Sequence, residues 1–412
     1  MYHRRYLPYF ILILIAVALK SLLSVFTFWN KEFIDIARAS TIDFGLNNSV
    51  PWIILQNFMY RIWLVLPMEK SDLTAWFNMI DFPKTMDFYI LIFLLKLPTL
   101  ISNFFCGALI YLIVQHFRNK GLAFNALVFW LFNPYLILFI DMYGSNETLP
   151  LLFLLGGLLL FLKRKKIISS FLFLISTSLK LYTAFLIPLI VYYNFKRGSI
   201  RSAIALLLMA LTGVGLYVYW VSKSNIDLMY SILNYSPFTF YISEILLLPY
   251  GHWIGLSTLS GILYLYLIIR FWKSDIRSLF DAFTGLILIF FAFLNWRPTF
   301  MVLLIAFLTI TIYICKIKKT SIITLLSITF LFVLTSFEQA SAKHLFYFPN
   351  VYKWMEVISN YIHNIPFYIT ADLFFKPIFR SLYAIICLYY AMKLLVNNCP
   401  SLKDILVTKS TE

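Results

Sequence analysis

The chain has 412 residues, of which 61% are hydrophobic, 19% aromatic and only 13% charged, with a mean hydropathy of +0.84. A soluble domain carries roughly a quarter charged residues and just under half apolar ones, so the composition excludes a water-covered globule and predicts a membrane protein. The net charge of +16, from 34 Lys plus Arg against 18 Asp plus Glu, has to be sorted by topology before it can be read as a nucleic-acid or ligand-binding charge.

Counted in stretches of about 20 apolar residues, the sequence predicts an all-α polytopic protein of about 11–12 transmembrane helices. The first, 7–28, follows His3, Arg4 and Arg5. It is longer than a signal-peptide core and lacks a small-residue cleavage site, so it is expected to stay as an anchor. Residues 29–87 form a large outer segment carrying Glu32, Asp35, Asp43, Asp72, Asp81 and Asp87. Within it Trp52, Leu55, Met59, Ile62 and Trp63 fall at helical spacing, which predicts a helix lying in the interface. Spans follow at 88–116, 122–140, 149–162, 167–180, 182–195, 202–221, 256–272, 278–294, 299–315, 321–336 and 378–395. Those between 149 and 195 are shorter than a bilayer requires, as expected of half-spans or broken helices packed inside protein.

With the N-terminus cytoplasmic, the inner loops collect twenty bases against four acids, and the outer segments are slightly acidic. Positive-inside bias accounts for the net charge, and no nucleic-acid partner is implied. Cys106, Cys315, Cys387 and Cys399 have neither disulfide-framework nor zinc spacing, and His3, His116, His252, His344 and His363 have no ligand spacing. No soluble nucleotide-binding domain is visible, and no metal or other cofactor is indicated.

Ionisable groups within spans are default candidates for function. Lys180, in SLKLYTAFLIP, either snorkels to the outer interface or faces an anionic lipid phosphate. Lys96, in LLKLPTLISN, is placed to snorkel outward, and Lys20 reads as structural. Arg297, in NWRP, is an interface anchor or a phosphate ligand, because a guanidinium binds phosphate through several donors. Asp141 and Glu147 bracket the turn DMYGSNETLP, for which a hydrated turn is the simplest reading. Asp35 follows the first span closely, and Glu32, three residues before it, would share its helix face and raise its proton affinity.

Four segments taken in order resemble a known family: LLKLPTLISNFFCGALIYLIV (94–114), FNPYLILFIDMYGSNETLPLLFLLGGLLLFLKRKK (132–166), SLKLYTAFLIPLIVYYNFKR (178–197) and FLNWRPTFMVLLIAFL (293–308). They are similar to the GT-C superfamily of polytopic membrane glycosyltransferases, in its prokaryotic mannosyltransferase-like branch, distantly similar to the mannosyltransferases of GPI-anchor assembly. The resemblance implies a helical bundle with interfacial helices in a large first external loop. It also implies a polyprenyl-phosphate-linked sugar donor, a glycan or glycolipid acceptor, and inverting transfer by a hexosyltransferase without a cofactor. By position it makes Asp35 the catalytic base with Glu32 as substitute, and gives the lipid phosphate to Arg297 and Lys180. Lys96, Asp141, Asn146, Glu147 and His252 are further candidates for substrate contact. Residues 1–336 would form the catalytic module, and 337–412 an external loop, the last transmembrane helix and a cytoplasmic tail. Family members usually show aromatic-Gly-x-x-Asp where this chain has YGSNET, and an Asp where it has Asn103.

The implied location is a multi-pass position in a prokaryotic plasma membrane, or the endoplasmic reticulum membrane of a eukaryote. Two other classes compete. A lipid or sugar transporter or flippase would line its path with Lys96, Lys180 and Arg297, although the sequence shows no inverted repeat. An inactive GT-C-like subunit would bind lipid-linked sugar without transferring it.

Overall fold

The computed structural model describes residues 3–26, 50–71, 73, 85–223, 276–293, 301–315, 327, 382–383, 385–391 and 393–394. No strand occurs among the described residues. The chain forms α1 (His3–Phe26), α2 (Val50–Val65), α3 (Met86–Phe117), α4 (Lys120–Leu131), α5 (Thr148–Leu162), α6 (Lys166–Leu179), α7 (Ile187–Lys196), α8 (Ile200–Lys223), α9 (Ile276–Phe293) and α10 (Met301–Cys315). Among the described residues, four stretches are long and apolar enough to cross a membrane: Pro8–Val25, Met86–Phe117, Lys120–Met142 and Ile200–Trp220. The predicted spans 256–272 and 321–336 lie outside the described residues, and 378–395 is described only in its middle, which is helical.

Two predicted spans are interrupted, and each interruption has a local cause. The span predicted at 122–140 breaks after α4 because Pro134 has no N–H to donate. The Asn133 side chain caps the restart by accepting from Tyr135 N at 3.0 Å. One α-turn, Pro134–Leu136, then widens into a π-turn over Ile137–Met142. The span predicted at 182–195 is a 3₁₀ turn, Leu181–Leu186, followed by α7.

The core is built on α3, α4, the π-turn, α5, α9 and α10. α10 is apolar on every side and almost wholly buried, as such a helix must be. It is locked to α9 by edge-to-face packing of Phe283 on Phe307 and by the Thr284–Thr311 hydroxyl pair at 2.7 Å. Glycines set the spacing of α5, α6 and α8. A Cβ on Gly157 would lie 2.6 Å from the Phe173 ring, and one on Gly213 2.8 Å from the Leu174 carbonyl oxygen. Helix association in lipid relies on this kind of close approach, because lipid provides no hydrophobic drive between helices.

α1 sits at the periphery and exposes most of its apolar surface. Its buried side chains are Ala16, Lys20 and Ser24, one stripe at four-residue spacing. α2, at the position predicted for an interfacial helix, packs on the start of α3. Trp63 Nε1 donates to Asp87 O at 2.8 Å, and Gln56 Nε2 donates to Leu95 O at 2.7 Å. Asp87, expected in the solvated outer segment, instead lies buried in the first turn of α3. It accepts from Ser71 N at 2.7 Å and Ser71 Oγ at 2.8 Å, because a carboxylate is favoured at a helix N-terminus.

Candidate functional site

The short spans shape the site. At 1.5 Å per residue α5, α6 and α7 are about 22, 21 and 15 Å long, against about 30 Å of hydrocarbon in a bilayer and about 48 Å for α3. The start of α5 meets the end of α6, where Ser176 Oγ donates to Pro150 O at 2.7 Å.

Two side chains meet at these ends. Glu147 is the residue before α5, and Lys180 follows α6 in an extended conformation imposed by the switch into the 3₁₀ turn. Lys180 Nζ lies 3.2 Å from Glu147 Oε1, with the lysine side chain 20% exposed and the glutamate 3%. The second carboxylate oxygen, Glu147 Oε2, is buried without a hydrogen-bond partner. Ser145 and Asn146 are buried beside it in sequence, and Tyr217 of α8 lies close enough to feel both charges.

A second charged group lies within the bundle. Asp141, on the π-turn, pairs through Oδ2 with Lys20 of α1 and accepts from Asn103 Nδ2 at 3.2 Å through Oδ1. Lys96 of α3 donates to the backbone oxygens of Asp141 at 3.2 Å and Met142 at 2.6 Å. These are the last carbonyls of the helical run, so Lys96 acts as a C-terminal cap for it. Lys20, Lys96, Asn103 and Asp141 are each no more than 1% exposed.

The two groups are joined through α3. Lys96, Thr99, Asn103 and Cys106 recur at three- and four-residue spacing and so share one face. Thr148 Oγ1, at the start of α5, lies 2.6 Å from Ser102 Oγ and donates to Thr99 O at 3.2 Å. Cys106 Sγ donates to Thr148 O at 3.4 Å. α3 therefore holds both ends of the 141–148 turn, whose tight return uses Gly144 at φ 76°.

Of the residues singled out from sequence, Lys180 and Glu147 come together, Lys96 joins Asp141, and Asn146 is buried next to Glu147 in the chain. Asp35, Glu32, Arg297 and His252 lie outside the described residues. The expectation of a hydrated turn at Asp141 and Glu147 is corrected, since both are buried against lysines. The outward snorkelling expected of Lys96 is also corrected, because its ammonium turns inward onto carbonyls. Lys20 has a larger part than expected. The signal for it was a mid-span lysine in a chain that also had a carboxylate next to an apolar run.

Chemically, the pair sets a carboxylate oxygen with unused acceptor capacity beside a partly exposed ammonium able to face an anion. Among the described residues no group of three His, Cys, Asp or Glu could hold a metal ion. No protein-family model, curated protein or solved structure matches the chain.

Proposed function

We propose that the chain is a polytopic membrane glycosyltransferase, mannosyltransferase-like, that moves a sugar from a polyprenyl-phosphate donor to a lipid-linked or protein glycan acceptor on the external or luminal face. The observation that carries this reading is the Lys180–Glu147 pair where α5 begins and α6 ends, with one buried carboxylate oxygen that has no hydrogen-bond partner. A sugar phosphate needs this combination, a cation for the phosphate and an acceptor for ring hydroxyls. In the reaction the acceptor oxygen bonds to the anomeric carbon as the bond to the phosphate oxygen breaks. The electron pair leaves with the lipid phosphate, and the hydroxyl proton passes to a carboxylate base.

A phosphate already leaves well, so a general acid is unnecessary. The base contributes roughly 10²–10⁴-fold and the cations stabilise the leaving group. In this proposal Asp35 is the base, with Glu32 as substitute, Lys180 and Arg297 face the phosphate, and Glu147 positions the sugar. The membrane is a prokaryotic plasma membrane, or the endoplasmic reticulum in a eukaryote, with the N-terminus cytoplasmic.

The test is single-turnover transfer from radiolabelled polyprenyl-phosphate mannose by the purified protein in nanodiscs. New glycoside should form, Lys180→Ala should reduce it at least tenfold, and Asp35→Asn should abolish it. Wild-type rates in both variants would sink the site assignment. The buried Lys20–Asp141–Lys96 group favours a second reading, a transporter or flippase, because ionisable groups at membrane depth commonly line substrate paths. Label crossing a liposome without new glycoside would select that reading. Label bound without either outcome would select an inactive lipid-sugar-binding subunit.

A further inference from the structure

A separate surface lies at the opposite ends of the short helices, where α5 and α7 stop and α6 and α8 begin. Both turns close in the same way. After α5, Arg164 N donates to Phe161 O at 3.0 Å and Lys165 N to Leu160 O at 2.9 Å. After α7, Gly198 N donates to Phe195 O and Ser199 N to Asn194 O, each at 3.0 Å. This is the paired closure that places one residue in the left-handed region, a place usually taken by glycine. Gly198 fills it at φ 69°, whereas in the twin turn Arg164 fills it at φ 61°. Among the described residues Arg164 is the one non-glycine residue with positive φ. A charged side chain thus stands where the backbone disfavours any side chain, and such a local conflict commonly marks a functional position.

The neighbourhood says what that position serves. Lys166 Nζ bonds Ser199 Oγ at 2.6 Å and ties the two turns together. Lys163, Arg164, Lys165, Lys196, Arg197 and Arg201 are all exposed there, and no Asp or Glu occurs in the sequence between Glu147 and Asp227. Lys196 and Arg197 rest on the rings of Tyr192 at 5.2 Å and Tyr193 at 4.8 Å, which limits the freedom of their charged ends. The start of α6 has no side-chain cap, since Lys165 stands at the capping position. Ile167 is 82% exposed, and Phe195 and Ile200 are more than half exposed, interleaved with the bases. A soluble polyanion would leave these apolar side chains in water, whereas a lipid surface covers them while its headgroups meet the bases.

We infer that the twin turns at 162–166 and 196–201 form a docking site for the phosphate headgroup of an anionic phospholipid, with Arg164 held in place for that contact. The inference requires a membrane around the chain but is independent of the glycosyltransferase reading.

The test measures the thermal unfolding midpoint of the full chain in detergent micelles supplemented with phosphatidylglycerol, phosphatidylcholine or inorganic phosphate. Phosphatidylglycerol should raise the wild-type midpoint by several degrees, because a ligand of the native state stabilises it, and the other two should not. Arg164→Gly should unfold at a higher temperature than wild type in phosphatidylcholine, with backbone strain removed, yet lose most of the phosphatidylglycerol increment. These opposite signs separate a lipid contact from a merely structural residue. Lys163→Gln/Arg197→Gln should also lose the increment, whereas Lys120→Gln/Arg277→Gln, with the same charge removed from exposed bases elsewhere, should keep it. A full increment in Arg164→Gly, an equal loss in the Lys120/Arg277 control, or the same increment with inorganic phosphate would each overturn the inference.

Discussion

Asp141 carries three dependents at once: the Lys20 ammonium, the Asn103 amide and, through its own backbone oxygen, Lys96. Removing one member of a buried pair leaves an uncompensated charge, which typically costs about 3–5 kcal/mol. Asp141→Asn is therefore expected to destabilise by about that much in denaturant unfolding from detergent micelles. Lys20→Met/Asp141→Asn should be more stable than the two single losses added together, because neither charge is then stranded. Strict additivity in that cycle would mean that the pair is not coupled. The Lys180–Glu147 pair follows a different rule, because Lys180 is partly exposed and can hydrate when its partner is lost. Glu147→Gln should therefore destabilise less than Asp141→Asn. Under the proposed function it should still slow glycosyl transfer, so a stability loss of Asp141→Asn size would move Glu147 from site to scaffold.

At the scale of the helix, α5, α6 and α8 depend on two glycines for their spacing. Gly157→Ala and Gly213→Ala each force a methyl onto the Phe173 ring or the Leu174 carbonyl, at about 1–3 kcal/mol for overpacking. Gly215, two residues along α8, has open space around its Cβ position, so Gly215→Ala should be neutral or slightly stabilising. If all three variants unfolded at one denaturant concentration, the packing of these helices would be looser than described. Sequence showed these elements well where hydropathy alone decides. The short spans from 149 to 195 were expected to be broken or half-spans, and α5, α6 and the 3₁₀–α7 pair match that in length. Pro134 marked the break before the π-turn, but nothing local marks a π-turn itself, which adds a residue without changing composition. The site was half legible. Lys180 stood out as a cation in an apolar run, while its partner looked like an ordinary loop acid, because hydropathy does not report that a turn is buried by helices distant in sequence. Arg164 was hidden for the opposite reason, since a base in a basic turn is unremarkable until its φ angle is known.

For the molecule as a whole, the proposed orientation puts the two ends of α6 on opposite faces. In a background with Cys106, Cys315, Cys387 and Cys399 replaced, Lys163→Cys and Lys180→Cys should react with a membrane-impermeant thiol reagent from opposite sides of sealed vesicles. Labelling of both from one side would mean that α6 does not connect the two faces. The attachment of α1 has a consequence for biosynthesis. Lys20 precedes its partner Asp141 by 121 residues. At about 5–20 residues per second, that separation corresponds to about 6–24 s of translation. During that interval the lysine has to enter the bilayer without its carboxylate, at a cost of about 2.5–3.5 kcal/mol. The long apolar flanks of α1, Tyr9–Leu19 before it and Leu22 to Val25 after it, favour insertion by more than that. The exposed apolar side chains of these flanks, which leave α1 loosely packed in the finished bundle, are thus what allow the helix to wait in the membrane for the rest of the chain.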